Sequence, residues 1–183
     1  MVKETLDNVF AALKGHFSYT NPMQAPRVEK VVISVGTGKV DDKQKIALIQ
    51  DRLAKITGQK PAPRAAKQSI ASFKLREGET IGYQVTLRGA RMHDFIDRLI
   101  NIAIPNMRDF HGLKTSSIDE MGNYTMGISE HTIFPETSDE DIRDVFGFAI
   151  TIVTTAATKA EAEALLRHIG LPLQKPETEE VGE

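Results

Sequence analysis

From Ile81 to Arg88 the chain alternates without a slip: Ile81, Tyr83, Val85 and Leu87 are apolar, while Gly82, Gln84, Thr86 and Arg88 between them are not. Successive strand residues point to opposite faces, so this pattern predicts a β-strand with one face on a core and one face wet. Sheets covered on a single side are built mostly from antiparallel pairs, because parallel sheets are buried on both faces.

The remaining segments fit that frame. Val28, Val31, Val32, Ile33 and Val35 form a β-branched run ended by Gly36 and Gly38, which predicts a strand over 28–35. A short strand is expected at 124–128 and a strongly β-prone one from Phe146 to Thr155. Helical spacing of Leu6, Val9, Phe10, Leu13 and Phe17 predicts one amphipathic helix over 3–17. Asp41 or Asp42 caps a second helix, striped by Ile46, Ile49, Leu53 and Ile56 and closed by Gly58. A third runs through Met92, Phe95, Ile96, Leu99, Ile100 and Ala103 up to Pro105, and a last one spans Lys159 to Ile169. Pro61 and Pro63 restrict their segment to an edge strand or a protruding loop. Residues 106–123 hold no lasting period and read as a long ordered loop.

The sum is an α+β layer fold, a mostly antiparallel sheet with helices packed on one face and the other face open. One domain is expected over residues 1–173. Residues 174–183, with Glu177, Glu179, Glu180 and Glu183, read as an acidic flexible tail.

Several chemistries are excluded. The chain has no cysteine, so disulfides, thiolate nucleophiles and cysteine-bound zinc or iron–sulfur centres are out, and a reducing compartment fits. The N-terminus carries no signal-peptide pattern, and no apolar run approaches the roughly 20 residues needed to span a bilayer. A cytoplasmic protein without membrane contact is expected. His16, His93, His111, His131 and His168 are scattered without metal-ligand spacing and read as partly exposed surface residues, so no metal or cofactor is expected. Gly36-Thr37-Gly38-Lys39 follows a strand but lacks the spacing of a dinucleotide or Walker loop. Asp139, Glu140, Asp141 and Asp144 suit a solvated helix start, with Ser138 ahead of Asp141, better than an acid–base cluster. No set of convergent groups suggests an enzyme.

Charge is more informative by place than by total. With 23 basic and 25 acidic residues the net charge is -2, which by itself argues against nucleic acid. Between Lys60 and Arg76, however, Lys60, Arg64, Lys67, Lys74 and Arg76 occur with no acidic residue. Together with Ser69 they offer donors to phosphate oxygens. Thr86 and Arg88 share the polar strand face, where short donors can meet a ribose 2′-hydroxyl. A solvated charge run and a plain β-preference account for the same residues, and a protein–protein module using the open sheet face is the alternative reading. Gln59 can bond a base or sugar edge or cap its own loop. Asn21 and Gln24, in a proline-bounded connection, serve the turn or reach a partner. Phe73 suits core packing better than stacking on a base.

Long stretches then carry a resemblance over residues 20 to about 173. They include Asn21-Pro22-Met23-Gln24, Thr57-Gly58-Gln59-Lys60-Pro61, Lys67-Gln68-Ser69-Ile70-Ala71, Phe73-Lys74-Leu75-Arg76-Glu77-Gly78 and Val85-Thr86-Leu87-Arg88-Gly89. Gly122-Asn123-Tyr124 and Ile133-Phe134-Pro135-Glu136 continue it. On these the chain resembles the bacterial family of large-subunit ribosomal protein five, which binds 5S ribosomal RNA in the central protuberance. The resemblance implies a structural RNA-binding protein of the ribosome, with Ser34, Gln59 and Thr86 at the docking face and Asn21, Gln24, Lys60, Arg64, Lys67, Ser69 and Arg88 beside them. The family usually has asparagine where Ser34 stands, so a shorter hydroxyl replaces an amide there. The loop with Lys67, Ser69, Phe73, Lys74 and Arg76 resembles the segment that approaches peptidyl-site transfer RNA. Arg108, His111, Asp139 and Arg143 lie in the stretch that resembles the intersubunit bridge to small-subunit protein thirteen. Implied partners are 5S and 23S ribosomal RNA, that transfer RNA, neighbouring large-subunit proteins and protein thirteen.

Overall fold

A computed structural model describes residues 2–40, 42–73, 75–108, 110–137 and 144–174. Lys74, Asp139 and Arg143, the helix start expected at Ser138, and the acidic tail beyond Gln174 lie outside the described residues.

Five strands form the sheet: β1 Val28–Gly36, β2 Ala62–Ala65, β3 Thr80–Leu87, β4 Tyr124–Ile128 and β5 Phe148–Thr154. Their spatial order is β2-β3-β1-β5-β4, and every pairing is antiparallel. β2, with Pro63 inside it, stands at an edge, where the missing proline N–H interrupts no ladder on the outer side.

Alternation decides what each face holds. Val31, Ile33 and Val35 of β1 stand opposite Leu87, Val85 and Tyr83 of β3, and all six are buried. Ile150 and Ile152 of β5 continue that layer to Met126 and Tyr124 of β4. The helices cover it. α3 Lys43–Thr57 buries Ile49, Leu53 and Ile56; α4 Ala90–Arg98 buries Met92, Phe95 and Ile96; α5 Lys159–Ile169 buries Ala162, Leu165, Leu166 and Ile169. Asp42 caps α3 by accepting from Gln44 N at 2.8 Å, and Gly58 ends the helix in the left-handed region at φ 66°. α4 runs on into a π-helical turn over Leu99–Ala103 before Pro105.

The N-terminal helix departs from expectation. Two helices, α1 Val2–Asp7 and α2 Val9–Phe17, replace the single one over 3–17. The Thr5 carbonyl accepts from the His168 ring at 3.0 Å and from Asn8 N at 3.2 Å, so it is committed away from a regular helical bond. That break lets Val2 on one segment and Val9 and Leu13 on the other reach the core.

Two further expectations are corrected. His131 is fully buried, stacked on Phe146 with ring centroids 4.2 Å apart, rather than on the surface. Phe73 is 66% exposed rather than packed in the core.

Candidate nucleic-acid interface

The second sheet face is organised by register. Thr86 lies opposite Val32, Val32 opposite Thr151, and Thr151 opposite Thr125, a transverse row over four strands. Two residues along, Ala62, Gln84, Ser34, Ala149 and Gly127 form a second row over all five. Gly36, Gly82 and Arg64 begin a third. Residues of these rows are mostly half-buried or exposed, whereas their neighbours on the other face sit in the core.

The face is lined by short neutral groups, with its charges held near its margins. Arg64 Nε donates to Gln84 Oε1 at 2.5 Å, joining β2 to β3. Arg88, just past β3, pairs with Glu29 at 3.2 Å, and Lys30 lies 3.6 Å from the same carboxylate. The Arg88 hydrogen bond, followed by the charge of Lys30, holds the Glu29 carboxyl below its ordinary value. Glu29 is thus an ionised, partnered group at the rim. Gln59 is half-buried just beyond the α3 cap, where its backbone carbonyl accepts from Thr57 Oγ1 at 3.0 Å. Lys60 is exposed, and continuing the β2–β3 register sets it level with Thr86.

The basic run does not form one patch. Lys60 and Arg64 border the sheet face, while Lys67 and Arg76 belong to a finger beyond the other end of β2 and β3. Ala66 and Glu79 close its base through Ala66 N to Glu79 O at 2.8 Å. Ile70 and Leu75 form a bridge higher up, with hydrogen bonds of 3.1 and 3.2 Å. Ser69 Oγ accepts from Glu77 N at 2.9 Å, so this hydroxyl braces the finger. Phe73 stands on the short turn Ala71–Phe73 at the tip, exposed along with Ile70.

Asn21 and Gln24 make a reciprocal cap. Asn21 Oδ1 accepts from Met23 N at 3.0 Å, and Gln24 Oε1 accepts from Thr20 N at 2.9 Å and Asn21 N at 3.2 Å. Both acceptor oxygens serve the turn, and both side chains lie on the surface. Away from the rows, exposed Arg108 lines a cavity of about 510 Å³ with Met107, Ile128, Glu130 and Ile133. His111 is exposed too, and its carbonyl accepts from Gln174 Nε2 at 3.1 Å.

The structure therefore unites Ser34, Arg64 and Thr86, with Lys60 and Arg88 at the margin, and sets Lys67, Ser69, Phe73 and Arg76 apart on the finger; Gln59 follows the α3 cap, Asn21 and Gln24 cap their own turn, and Arg108 and His111 belong to the long loop. Thr125, Gly127, Ala149 and Thr151 lie on the same face and do not stand out in the sequence as candidates. The alternation of Tyr124, Met126 and Ile128 with Thr125 and Gly127 was the signal for the first two. Among the described residues no group of side chains could hold a metal ion, and no helix is long and apolar enough to cross a membrane.

Comparison with known proteins adds an independent finding. The family model for ribosomal protein L5 matches residues 21–76, and the model for the C-terminus of the same ribosomal family matches residues 80–173. The large ribosomal subunit protein uL5 of Flavobacterium johnsoniae is 49% identical over 174 residues, covering 94% of this chain and 95% of its own. Those of Anaeromyxobacter sp. (strain K) and Salinibacter ruber are each 47% identical, covering 95% and 99% of this chain and 98% and 95% of their own.

Proposed function

The chain belongs to the ribosomal protein L5 family, and on that premise we propose that its open sheet face docks 5S ribosomal RNA in the large ribosomal subunit. Its role is structural: it positions RNA and turns over no substrate. One observation carries the reading, the placement of Ser34, Gln84 and Thr86 on adjoining strands with Lys60 and Arg64 at the margin. Hydroxyls and an amide on a firm sheet suit ribose 2′-hydroxyls and backbone oxygens, and the two cations beside them suit phosphates.

Finer contacts follow from the finger and the long loop. The exposed ring of Phe73, with Lys67 and Arg76 below it, is proposed to approach peptidyl-site transfer RNA. Arg108 and His111 are proposed to face small-subunit protein thirteen at the intersubunit bridge, and 23S RNA and neighbouring large-subunit proteins complete a cytoplasmic, ribosome-bound setting. The test is titration of the full chain with 5S RNA at several salt concentrations. Binding that weakens steeply with salt, and weakens roughly tenfold on Thr86→Ala without loss of stability, is expected. Absent or salt-independent binding overturns the reading.

A further inference from the structure

Residues 172–174 lie beside 111–113 of the long loop and run parallel to them. Leu113 N donates to Pro172 O at 2.9 Å, Gln174 N to Leu113 O at 2.8 Å, and Gln174 Nε2 to His111 O at 3.1 Å. A Cβ on Gly112, whose φ is 95°, would meet Gln174 Cγ at 2.9 Å, so this contact requires glycine. The acidic segment 175–183 is thereby rooted beside His111, which is three residues from Arg108 and so within about 11 Å of it.

Arg108 lines the cavity of about 510 Å³ between the long loop, the end of β4 and the turn His131–Ile133. Met107, Ile128 and Ile133 give that cavity an apolar wall. Among the described residues, the side chains of Asn106, Arg108, Ser129 and Thr132 have no hydrogen-bond or ion-pair partner. Arg88, Arg98 and Arg167, by contrast, are each paired with a carboxylate. All four unspent groups can donate, and Glu130 is the single acid among the described lining residues. A cavity of this size with an apolar wall and a few convergent polar groups has the character of a binding site. Its donors suit a carboxylate carried next to an aliphatic group.

The adjacent segment supplies that combination. In Glu179-Glu180-Val181-Gly182-Glu183 one aliphatic side chain stands between carboxylates. Val181 is seven residues from Gln174, a reach of up to about 25 Å and more than the span to Arg108. A tether this short holds the segment at an effective concentration of roughly millimolar, so even a weak contact populates a docked state.

We propose that the acidic segment docks back on its own chain, with Val181 against Met107 and Ile133 and a flanking glutamate on Arg108, and occupies the cavity until a partner displaces it. This depends on neither the 5S RNA reading nor the bridge reading; any partner that meets Arg108 competes with the segment. The chain has no cysteine, so Gly182→Cys in the full chain accepts a unique nitroxide while keeping Val181 and every glutamate. Amide signals of residues 106–108 and 128–133 are expected to broaden. They should recover on Arg108→Ala, which is expected to weaken docking about tenfold, and as salt rises toward about 1 M, where the Debye length is about 3 Å. Arg108→Lys should retain most of the broadening. Broadening that is absent, centred on Lys60 and Arg64, or indifferent to Arg108→Ala overturns the proposal. Should the label disturb the segment, amide shifts of residues 177–183 in the unlabelled chain serve instead: they are expected to move on Arg108→Ala, and identical shifts in parent and variant overturn docking.

Discussion

Arg64 and Gln84 are joined side chain to side chain across β2 and β3, Nε to Oε1 at 2.5 Å. The bond turns the Gln84 carbonyl toward the edge strand and keeps its amide hydrogens for another acceptor. Arg64 retains most of its donor fork, since Nε is only one of its nitrogen donors.

Charges at the two ends of the basic run should behave differently toward 5S RNA. Lys60→Ala and Arg64→Ala are each expected to reduce the slope of log K against log salt by about 0.7–0.9, the amount expected for one phosphate contact. Lys67→Ala and Arg76→Ala, on the finger, are expected to leave that slope unchanged. Filter-binding titrations over a salt series check this, and equal effects from both pairs would show that the finger belongs to the same docking surface.

The two phenylalanines Phe73 and Phe95 are predicted to differ sharply. Phe95 is fully buried and stacks on Phe134 with centroids 5.8 Å apart, whereas Phe73 is 66% exposed. Phe95→Ala is expected to cost about 3–5 kcal/mol. Phe73→Ala should stay within about 0.5 kcal/mol of the parent in denaturant melts. A large loss from Phe73→Ala would mean that the ring packs against the body.

Glycine replacements supply a third comparison. Gly82→Ala drives a methyl to 2.6 Å from the Val35 carbonyl oxygen and must move β1 or β3, a change of about 1–3 kcal/mol. Gly36→Ala, opposite it in the pairing and with open space around its Cβ, should cost little. Melting curves of the two variants decide, and similar losses would refute the backbone-clash argument.

His131 makes stability depend on pH. Burial, then the nearby positive charge of Arg52, pushes its pKa below the ordinary 6.5, against smaller opposing pulls from a backbone hydrogen bond with Phe146 and from Asp144. The unfolded chain then binds the proton more readily, so stability is full above about pH 6.5 and falls as the pH drops through the lowered folded value. Denaturant melts between about pH 8 and pH 5 should show this fall, and His131→Phe should flatten it. An unchanged slope in the variant would assign the acid sensitivity to other groups.

Legibility in the sequence follows from range. The polar face of β3 was readable because alternation is a property of a single strand, and Gly82, Gln84 and Thr86 needed no partner to declare it. The caps at Asp42 and Gly58 and the full extent of α5 were readable for the same reason. The break at Asn8 was not, because it depends on His168 reaching the Thr5 carbonyl from α5. Phe73 looked like core material, yet the Ile70–Leu75 bridge closes the finger below it and holds the ring out. His131 carries no mark of burial in its neighbourhood, and only the return of the chain at Phe146 covers it.

By itself the sequence determined which stretches pleat, which coil and which strand face meets water, since backbone geometry links those choices to residues a few positions apart. Tertiary structure decided the strand order, and with it that Thr125 and Gly127 share a surface with Ser34 and Thr86. Pairing between distant strands sets that surface, and its register depends on how all the core residues pack at once, which no local pattern contains.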